Sequence, residues 1–170
     1  MGYILVAFDE VGFQLTTNYK QIWFPTGEKP KGAFFWSSKK LIAFGALTSE
    51  HQFYHEFQPA HNTFTFCCFL HSFIQSLDPQ KKYLFLLDNV GYHKTQSVKR
   101  ILMEHSDFIA VEYLPTYSPE LNPIETNWKV TKNTVTKSQY FPNLDAMQNA
   151  IEDFWKSHTF MQNFITYLCP

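Results

Sequence analysis

Three carboxylates stand at positions from which they can meet in the folded chain. Asp9 follows the apolar residues 3–8, and Asp88 follows a second apolar run at residues 83–87. Both runs predict strands buried on both faces, and the carboxyl ends of such strands form ligand sites in open α/β sheets. Glu125 begins a predicted helix after a proline-rich loop at residues 114–123, and from there it can face both aspartates.

A cluster of this kind predicts divalent cations and chemistry on phosphates. Converging carboxylates repel one another unless cations lie between them. Mg²⁺ or Mn²⁺ suits an all-oxygen ligand set better than zinc does. Two such ions about 4 Å apart activate an attacking hydroxyl and stabilise the leaving oxygen of a phosphodiester. We therefore expect Asp9, Asp88 and Glu125 to be both metal ligands and catalytic residues of a two-ion site.

Each acid also has a simpler interpretation when it is taken alone. An aspartate after a strand often only ends that strand. Asn122 is a good N-cap residue and Pro123 suits the first helical position, so Glu125 can be the capping-box partner of Asn122. For a single acid the simpler interpretation is the stronger one. The metal-site interpretation is favoured only when the three acids are considered together.

The sequence predicts strands in its first part, followed by alternating helices and strands that position the three acids. Strands or sheet arms are predicted at residues 3–8, 11–17, 21–24, 41–47, 83–87 and 108–114, with a turn at 18–19 and a loop at 25–30. Helices are predicted at residues 62–77 and 95–104, after Asn122, and after Asn143. This order predicts an α/β domain in which helices cover a mixed sheet, with residues 1–170 forming one domain.

Composition narrows the setting of this domain. The formal net charge is −1, whereas a domain that grips DNA unaided is expected to be basic. No apolar stretch approaches the roughly 20 residues that span a bilayer, so no membrane partner is expected. Cys67, Cys68 and Cys169 are an odd number and two are adjacent, which fits a reduced compartment. We predict a soluble cytoplasmic protein.

The sequence around the three acids carries a family resemblance. The segments are FDEVGF at residues 8–13, LLDNVGYHK at 86–94 and LPTYSPELNPIE at 114–125, with Trp128 after the last. Together they resemble the DDE transposases of the IS630/Tc1-mariner superfamily. Trp23 with Gly27, and residues 44–46, resemble the family's connecting strands, so the resemblance covers nearly the whole chain.

The resemblance implies an RNase H-like fold, with a mixed five-stranded sheet flanked by α-helices, and Asp9, Asp88 and Glu125 as its metal-binding triad. It implies metal-dependent cleavage of DNA at transposon ends, then attack of the freed 3′-hydroxyl on target DNA, at TA. Transposon and target DNA are the implied partners, and the chain is expected to self-associate in the synaptic complex. The family carries a helix-turn-helix region before the catalytic domain, and this region is not expected in the present chain. The chain is then expected to be a second reading frame, a truncated form or a degenerate copy, and a separate helix-turn-helix polypeptide is one candidate partner. A prokaryotic protein of this kind is expected at the nucleoid.

Residues flanking the triad have less specific roles. Glu10, Asn89 and His93 match motif positions and are expected to orient substrate or water, although His93 can equally serve packing or a helix start. Basic residues near the predicted site are candidates for DNA binding, with solvated surface as the alternative: Lys94, Lys99, Arg100, Lys129 and Lys132. Cys67 and Cys68 are expected at the core or its boundary.

The sequence is also compatible with two other functions. The first is an RNase H-like nuclease or resolvase that acts on a different nucleic acid, against which the proline-rich loop before Glu125 argues. The second is a catalytically silent remnant that only binds DNA or proteins, against which the intact triad argues. A response to divalent metal separates the second alternative from an enzyme.

Overall fold

The computed structural model of the chain describes residues 2–17, 26–27 and 35–168. The arm predicted at residues 21–24, the turn at 18–19 and most of the loop at 25–30 lie outside the described residues, as do Trp23 and Cys169.

The first strand, β1 (Ile4–Gln14), is one continuous strand of 11 residues. The prediction of two separate strands, at residues 3–8 and 11–17, is therefore wrong, and Asp9 lies within the strand rather than at its end. The two halves of β1 pair differently. Val6 to Gln14 pairs antiparallel with β2 (Lys40–Thr48), whereas only Ile4 to Ala7 pairs parallel with β4 (Tyr83–Leu87). Beyond Ala7, β1 still pairs with β2 but no longer with β4, and its hydrophobic pattern changes there. In the sequence, this change looks like the end of a strand.

The sheet has five strands in the order β3-β2-β1-β4-β5. Here β3 (Phe53–Gln58) is antiparallel to β2, and β5 (Ile109–Tyr113) is parallel to β4. The expected mixed five-stranded sheet is confirmed. No strand was predicted at β3, although its aromatic residues favour one.

Five α-helices lie in the described part of the chain: α1 (Thr63–Gln75), α2 (Gln96–Glu104), α3 (Glu125–Thr131), α4 (Leu144–Ser157) and α5 (Phe164–Leu168). Two of them start at side-chain caps, Asn62 and Asn143, of which only Asn143 was predicted as a cap. The side chain of Asn62 accepts a hydrogen bond from the backbone of Thr65 at 3.0 Å, and Asn143 accepts one from Ala146 at 2.8 Å. These bonds satisfy backbone donors that the first helical turn leaves free.

Two hydrophobic layers enclose the sheet and make it a rigid support. On one face, aromatic rings of the strands meet α1 and α2, and Phe8 lies edge-on to Phe73 with ring centroids 5.3 Å apart. On the other face, Trp128 of α3 and Trp155 of α4 pack over β1 and β2. Cys67 lies at the boundary of the first layer, while Cys68 is exposed. No helix among the described residues is long and apolar enough to cross a membrane.

Candidate active site

Asp9 and Asp88 are brought together by the pairing of β1 with β4. The parallel register aligns Ala7 with Leu86, and the two aspartates each follow two residues later on their own chain segments. Neighbouring parallel strands therefore carry the two acids to the same edge of the sheet. The predicted convergence occurs, although the sequence placed Asp9 at a strand end.

The proline-rich loop at residues 114–123 brings Glu125 to the same edge. The backbone N–H of Leu114 donates to the carbonyl of Leu87 at 2.8 Å, which extends the β4–β5 pairing by one residue. The Nδ2 group of Asn89 donates to Oγ1 of Thr116 at 3.0 Å. Both bonds fix the loop to the end of β4, so the helix that follows begins beside Asp88.

Asn122 holds the other end of this loop, and it does so in an unexpected way. It does not cap α3, which begins at Glu125 with Ile124 before it and without a side-chain cap. Instead, Asn122 is 3% exposed, and its Nδ2 group donates to the backbone carbonyl of Phe8 at 2.9 Å. The N-cap prediction for Asn122 and the capping-box interpretation of Glu125 are both wrong. The Asn122 amide binds the buried carbonyl of Phe8 instead of the start of α3.

The three acids line one open cavity of about 390 Å³, here called the carboxylate cavity. The rest of its lining comes from the end of β4 and the proline-rich loop: Asn89, Val90, Leu114, Pro115, Thr116, Tyr117, Ser118, Pro119 and Asn122. Among the described residues that line it, none is lysine or arginine. The cavity is therefore acidic at its base and largely apolar or neutral at its wall.

Asp9 is held by a hydrogen bond and lies close to two other acids. The indole N–H of Trp128 donates to Oδ2 of Asp9 at 2.9 Å. Burial raises the pKa of Asp9 well above its usual range, and the nearby charges of Glu10 and Glu125 raise it further. An uncompensated negative charge is thus unfavourable at this position, which is what a site for a cation requires.

Gly45 makes room for the Trp128 ring. It lies opposite Asp9 in the β1–β2 pairing, and a Cβ atom there would stand 2.5 Å from Cη2 of Trp128. The same Cβ would stand 2.9 Å from Cδ1 of Ile124. Only glycine allows α3 to approach β2 this closely, so Gly45 contributes to the position of both Trp128 and Glu125.

His93 connects the second aspartate to Glu10. The fully buried ring places Nε2 at 2.9 Å from Oε1 of Glu10 and Nδ1 at 2.6 Å from Oδ1 of Asp88. Burial opposes protonation, but the hydrogen bonds to Asp88 and Glu10 outweigh it and raise the pKa of His93 to about 9. Burial likewise opposes ionisation of Asp88, yet the bond and charge of His93 hold its pKa below the usual value.

His93 is enclosed by its neighbours. The ring packs against Phe66, with centroids 4.0 Å apart, and no part of it reaches solvent. In this structure it is a packed residue that contacts Asp88 and Glu10. Asn89 differs, because it lines the carboxylate cavity while it holds Thr116.

The donor set of the cavity fits a hard divalent cation. Asp9, Asp88 and Glu125 offer carboxylate oxygens, which Mg²⁺ and Mn²⁺ accept. The buried Oδ1 of Asn122, in the same lining, has no hydrogen-bond partner. Within residues 2–17, 26–27 and 35–168, no three acidic, histidine or cysteine side chains already stand close enough to hold one ion. Joint ligation by the three acids therefore requires side-chain movement.

The five basic candidates for DNA binding lie outside the cavity. Lys99 and Arg100 lie on the exposed face of α2, and Lys129 and Lys132 are exposed on α3 and the turn after it. The ammonium group of Lys94 lies 5.1 Å from the ring centroid of Tyr113. All five side chains are solvated, and none lines the carboxylate cavity.

Sequence reasoning missed the residues that support the triad. The motif that contains Trp128 predicts neither the bond of this residue to Asp9 nor the role of Gly45. A glycine inside the apolar strand at residues 41–47 was the available signal, because such a glycine often marks the close approach of another group.

Comparison with known sequences gives a family and a distant relative. The family described as DDE superfamily endonuclease matches residues 4–148. A protein of Sinorhizobium fredii, y4pE/y4sA, is 31% identical over 71 residues, which make up 42% of this chain and 49% of that protein.

Comparison with solved structures identifies the same fold. The strand transfer complex of Mos1 matches 96% of this chain with a TM-score of 0.72 and 18% identity. The Mos1 mariner paired end complex with Mn matches the same share with a TM-score of 0.76 and 16% identity. The isolated catalytic domain of Mos1 mariner transposase gives 0.67 and 17%. The chain spans 49% and 50% of the first two proteins and 73% of the third.

Proposed function

The chain belongs to the DDE superfamily endonuclease family, and we propose that it is the catalytic domain of a transposase. In this proposal it cleaves DNA phosphodiesters at transposon ends and joins the freed 3′-hydroxyl to target DNA at TA. The observation that carries the proposal is the meeting of Asp9, Asp88 and Glu125 on one cavity at the sheet edge. The RNase H-like fold shared with the mariner transposase supports it.

Divalent cations are the proposed cofactors. Asp9, Asp88 and Glu125 would hold two Mg²⁺ or Mn²⁺ ions, and the similar mariner structures include paired end complexes with Mn and with Mg. The bound ions would supply a nucleophilic hydroxide and stabilise the leaving oxygen. The crowding of acidic charge around Asp9 supports this assignment, because a cation would relieve it.

The residues around the triad then act on its geometry. Trp128 binds one oxygen of Asp9 and His93 binds one oxygen of Asp88, which restricts the movement of both side chains and leaves a second oxygen on each for a cation. Glu10 acts through His93, and Asn89 holds the loop that carries Glu125. Ligands that are oriented in advance lose little freedom when substrate binds, which favours a reaction that depends on position alone.

DNA is the proposed partner, but this chain is not proposed to recognise transposon ends alone. The net charge of −1 and the absence of lysine and arginine among the described residues of the cavity lining both support a further DNA-binding element. A helix-turn-helix polypeptide would supply it, with the five exposed basic residues as accessory contacts. Paired cutting of two ends would require self-association, and we place this reaction in the cytoplasm, with residues 1–170 as one domain.

Nicking of supercoiled plasmid DNA tests the proposal. We expect relaxed circles in Mg²⁺ or Mn²⁺ and none in EDTA, with activity lost in Asp88→Ala and Glu125→Ala. The matched control is Glu50→Ala, because Glu50 is an acid about half exposed and outside the carboxylate cavity. Equal nicking by the wild type and both triad variants contradicts the proposal.

Strand transfer requires a separate assay. A labelled duplex with a free 3′-hydroxyl is incubated with plasmid, and the sequence at each junction is determined. Joined products at TA dinucleotides are expected from the wild type alone. Nicking without any joined product, also after a helix-turn-helix module is supplied, contradicts the transposase assignment and favours a simple nuclease.

A further inference from the structure

Tyr117 is the most exposed large hydrophobic residue in the described part of the chain. Its side chain is 96% exposed, although it belongs to the lining of the carboxylate cavity. Its backbone φ is 59°, in the left-handed region that residues other than glycine rarely adopt. An aromatic ring therefore stands in solvent at the rim of the site, on a residue whose backbone conformation is unfavourable.

The loop that carries Tyr117 is fixed on both sides. Pro115 and Pro119 restrict the backbone, and Thr116 accepts the hydrogen bond from Asn89 at 3.0 Å. The bond from Asn122 to the carbonyl of Phe8 anchors the far end. A strained residue that contributes little packing in a fixed loop points to a role outside the fold itself.

The composition of the rim indicates what the ring can contact. The base of the cavity carries three carboxylates, and none of its described lining residues is lysine or arginine. A DNA strand that enters meets no basic side chain in this lining, so contacts with its bases can add to those that the proposed cations would make with its phosphate. Tyr117 is the aromatic residue of this lining, and Pro115, Pro119 and Val90 form an apolar wall with it.

We propose that Tyr117 is a stacking platform for one unpaired nucleobase beside the phosphodiester that occupies the carboxylate cavity. Every base has a flat π-face, so stacking on an aromatic ring tolerates different sequences. A paired base inside a duplex offers no free face, so the base at Tyr117 is unstacked from its neighbours or lies in a single strand. The identity of the strand as substrate rests on the proposed function.

Fluorescence of 2-aminopurine tests this contact without any cleavage. The probe is a single-stranded oligonucleotide with one 2-aminopurine, added in Ca²⁺ so that binding is measured instead of reaction. Stacking on Tyr117 is expected to quench the fluorescence. Tyr117→Leu, which retains a large apolar side chain, is expected to abolish the quenching and weaken binding about 5- to 150-fold. Tyr117→Phe is expected to behave as the wild type.

Two further variants control for folding and for location. Tyr117→Gly removes the ring and relieves the positive φ, so it is expected to lose quenching while its melting temperature stays equal or rises. Phe64→Leu changes a ring that is 75% exposed but lies on α1, outside the cavity lining, and is expected to leave quenching intact. Quenching that persists in Tyr117→Leu and Tyr117→Gly, or is absent from the wild type, overturns the proposal.

Plasmid nicking by the same proteins separates this proposal from the proposed function. If the wild type nicks DNA with divalent metal but shows no quenching that depends on Tyr117, the proposed base contact is wrong and the enzyme assignment stands. If quenching depends on Tyr117 but no protein nicks DNA, the base site stands and the enzyme assignment is wrong.

Discussion

Trp128 donates its indole N–H to Oδ2 of Asp9 at 2.9 Å, although the two residues are 119 positions apart in the chain. The bond joins the central strand to the helix that carries Glu125, so it relates two of the three acids. Groups of this kind, which orient a metal ligand, typically change affinity or activity 10- to 100-fold when they are altered.

Trp128→Phe tests the importance of that bond. The phenyl ring keeps much of the packing but cannot donate to Asp9, so we expect metal-dependent nicking to fall about 10- to 100-fold. Nicking rates across a range of Mn²⁺ concentrations provide the measurement. Trp36→Phe, at an exposed tryptophan, is the control for the same exchange. A wild-type rate in Trp128→Phe contradicts the orienting role.

Gly45→Ala is expected to destabilise the protein by about 1–3 kcal/mol, because the added Cβ meets the Trp128 ring and Ile124 in a close-packed interface. Nicking is expected to decrease as well, since the displaced ring holds Asp9. Urea denaturation gives the free energy of unfolding. Gly12→Ala is the matched control on the neighbouring strand, where the nearest atom to a Cβ is Cδ of Lys40 at 4.0 Å. Equal effects of the two substitutions contradict the packing argument.

Neutralising the two aspartates is expected to change stability in opposite directions. Asp9→Asn removes a buried charge that Glu10 and Glu125 repel, so the metal-free protein becomes more stable while nicking is lost. Asp88→Asn removes the charge that faces His93, so we expect the free energy of unfolding to fall by about 1–3 kcal/mol. This loss is smaller than for a fully buried pair, because the Asp88 side chain is 41% exposed. Thermal denaturation in EDTA measures both. A loss of stability in Asp9→Asn is the contrary result.

The His93 contacts predict a large effect on folding. His93→Leu leaves Glu10 and Asp88 without their shared partner in a buried site, so we expect a loss of about 3–5 kcal/mol in the free energy of unfolding. Lys81→Ala, which breaks the exposed pair with Glu50 at 3.3 Å, is expected to cost at most about 1 kcal/mol. Similar losses from urea denaturation of the two variants would mean that the buried contacts are not stronger than the exposed pair.

His55 predicts part of the acid sensitivity of the fold. Burial lowers its pKa below the usual 6.5, and Lys156 acts in the same direction, while Glu152 and Glu56 oppose it. Below pH 6.5 the unfolded chain takes up the proton and the folded chain resists it, so stability is lost as the pH falls from 6.5 towards the folded pKa. We expect His55→Phe to lose less stability than the wild type between about pH 7 and pH 5 in urea titrations. Parallel curves contradict this.

Several features could be predicted from the sequence because their causes are local. The apolar spacing of α1, and both the cap and the apolar spacing of α4, are set by residues within each helix or directly before it. The motifs around Asp9, Asp88 and Glu125 identify the family, and the apolar runs identify β4 and most of β2. Where local causes conflicted with tertiary ones, as at the supposed cap Asn122, the prediction failed.

The sequence by itself determined which residue types are available for chemistry and where most of the helices and strands lie, with β3 as an exception. Only the tertiary structure decided how those residues meet, because contacts such as His93 to Glu10 or Trp128 to Asp9 depend on strand order and register. It also decided that β1 is one strand, since its second half is sustained by β2 after its pairing with β4 has ended. No pattern within a short window of the chain contains that information, because each strand's neighbours come from distant segments.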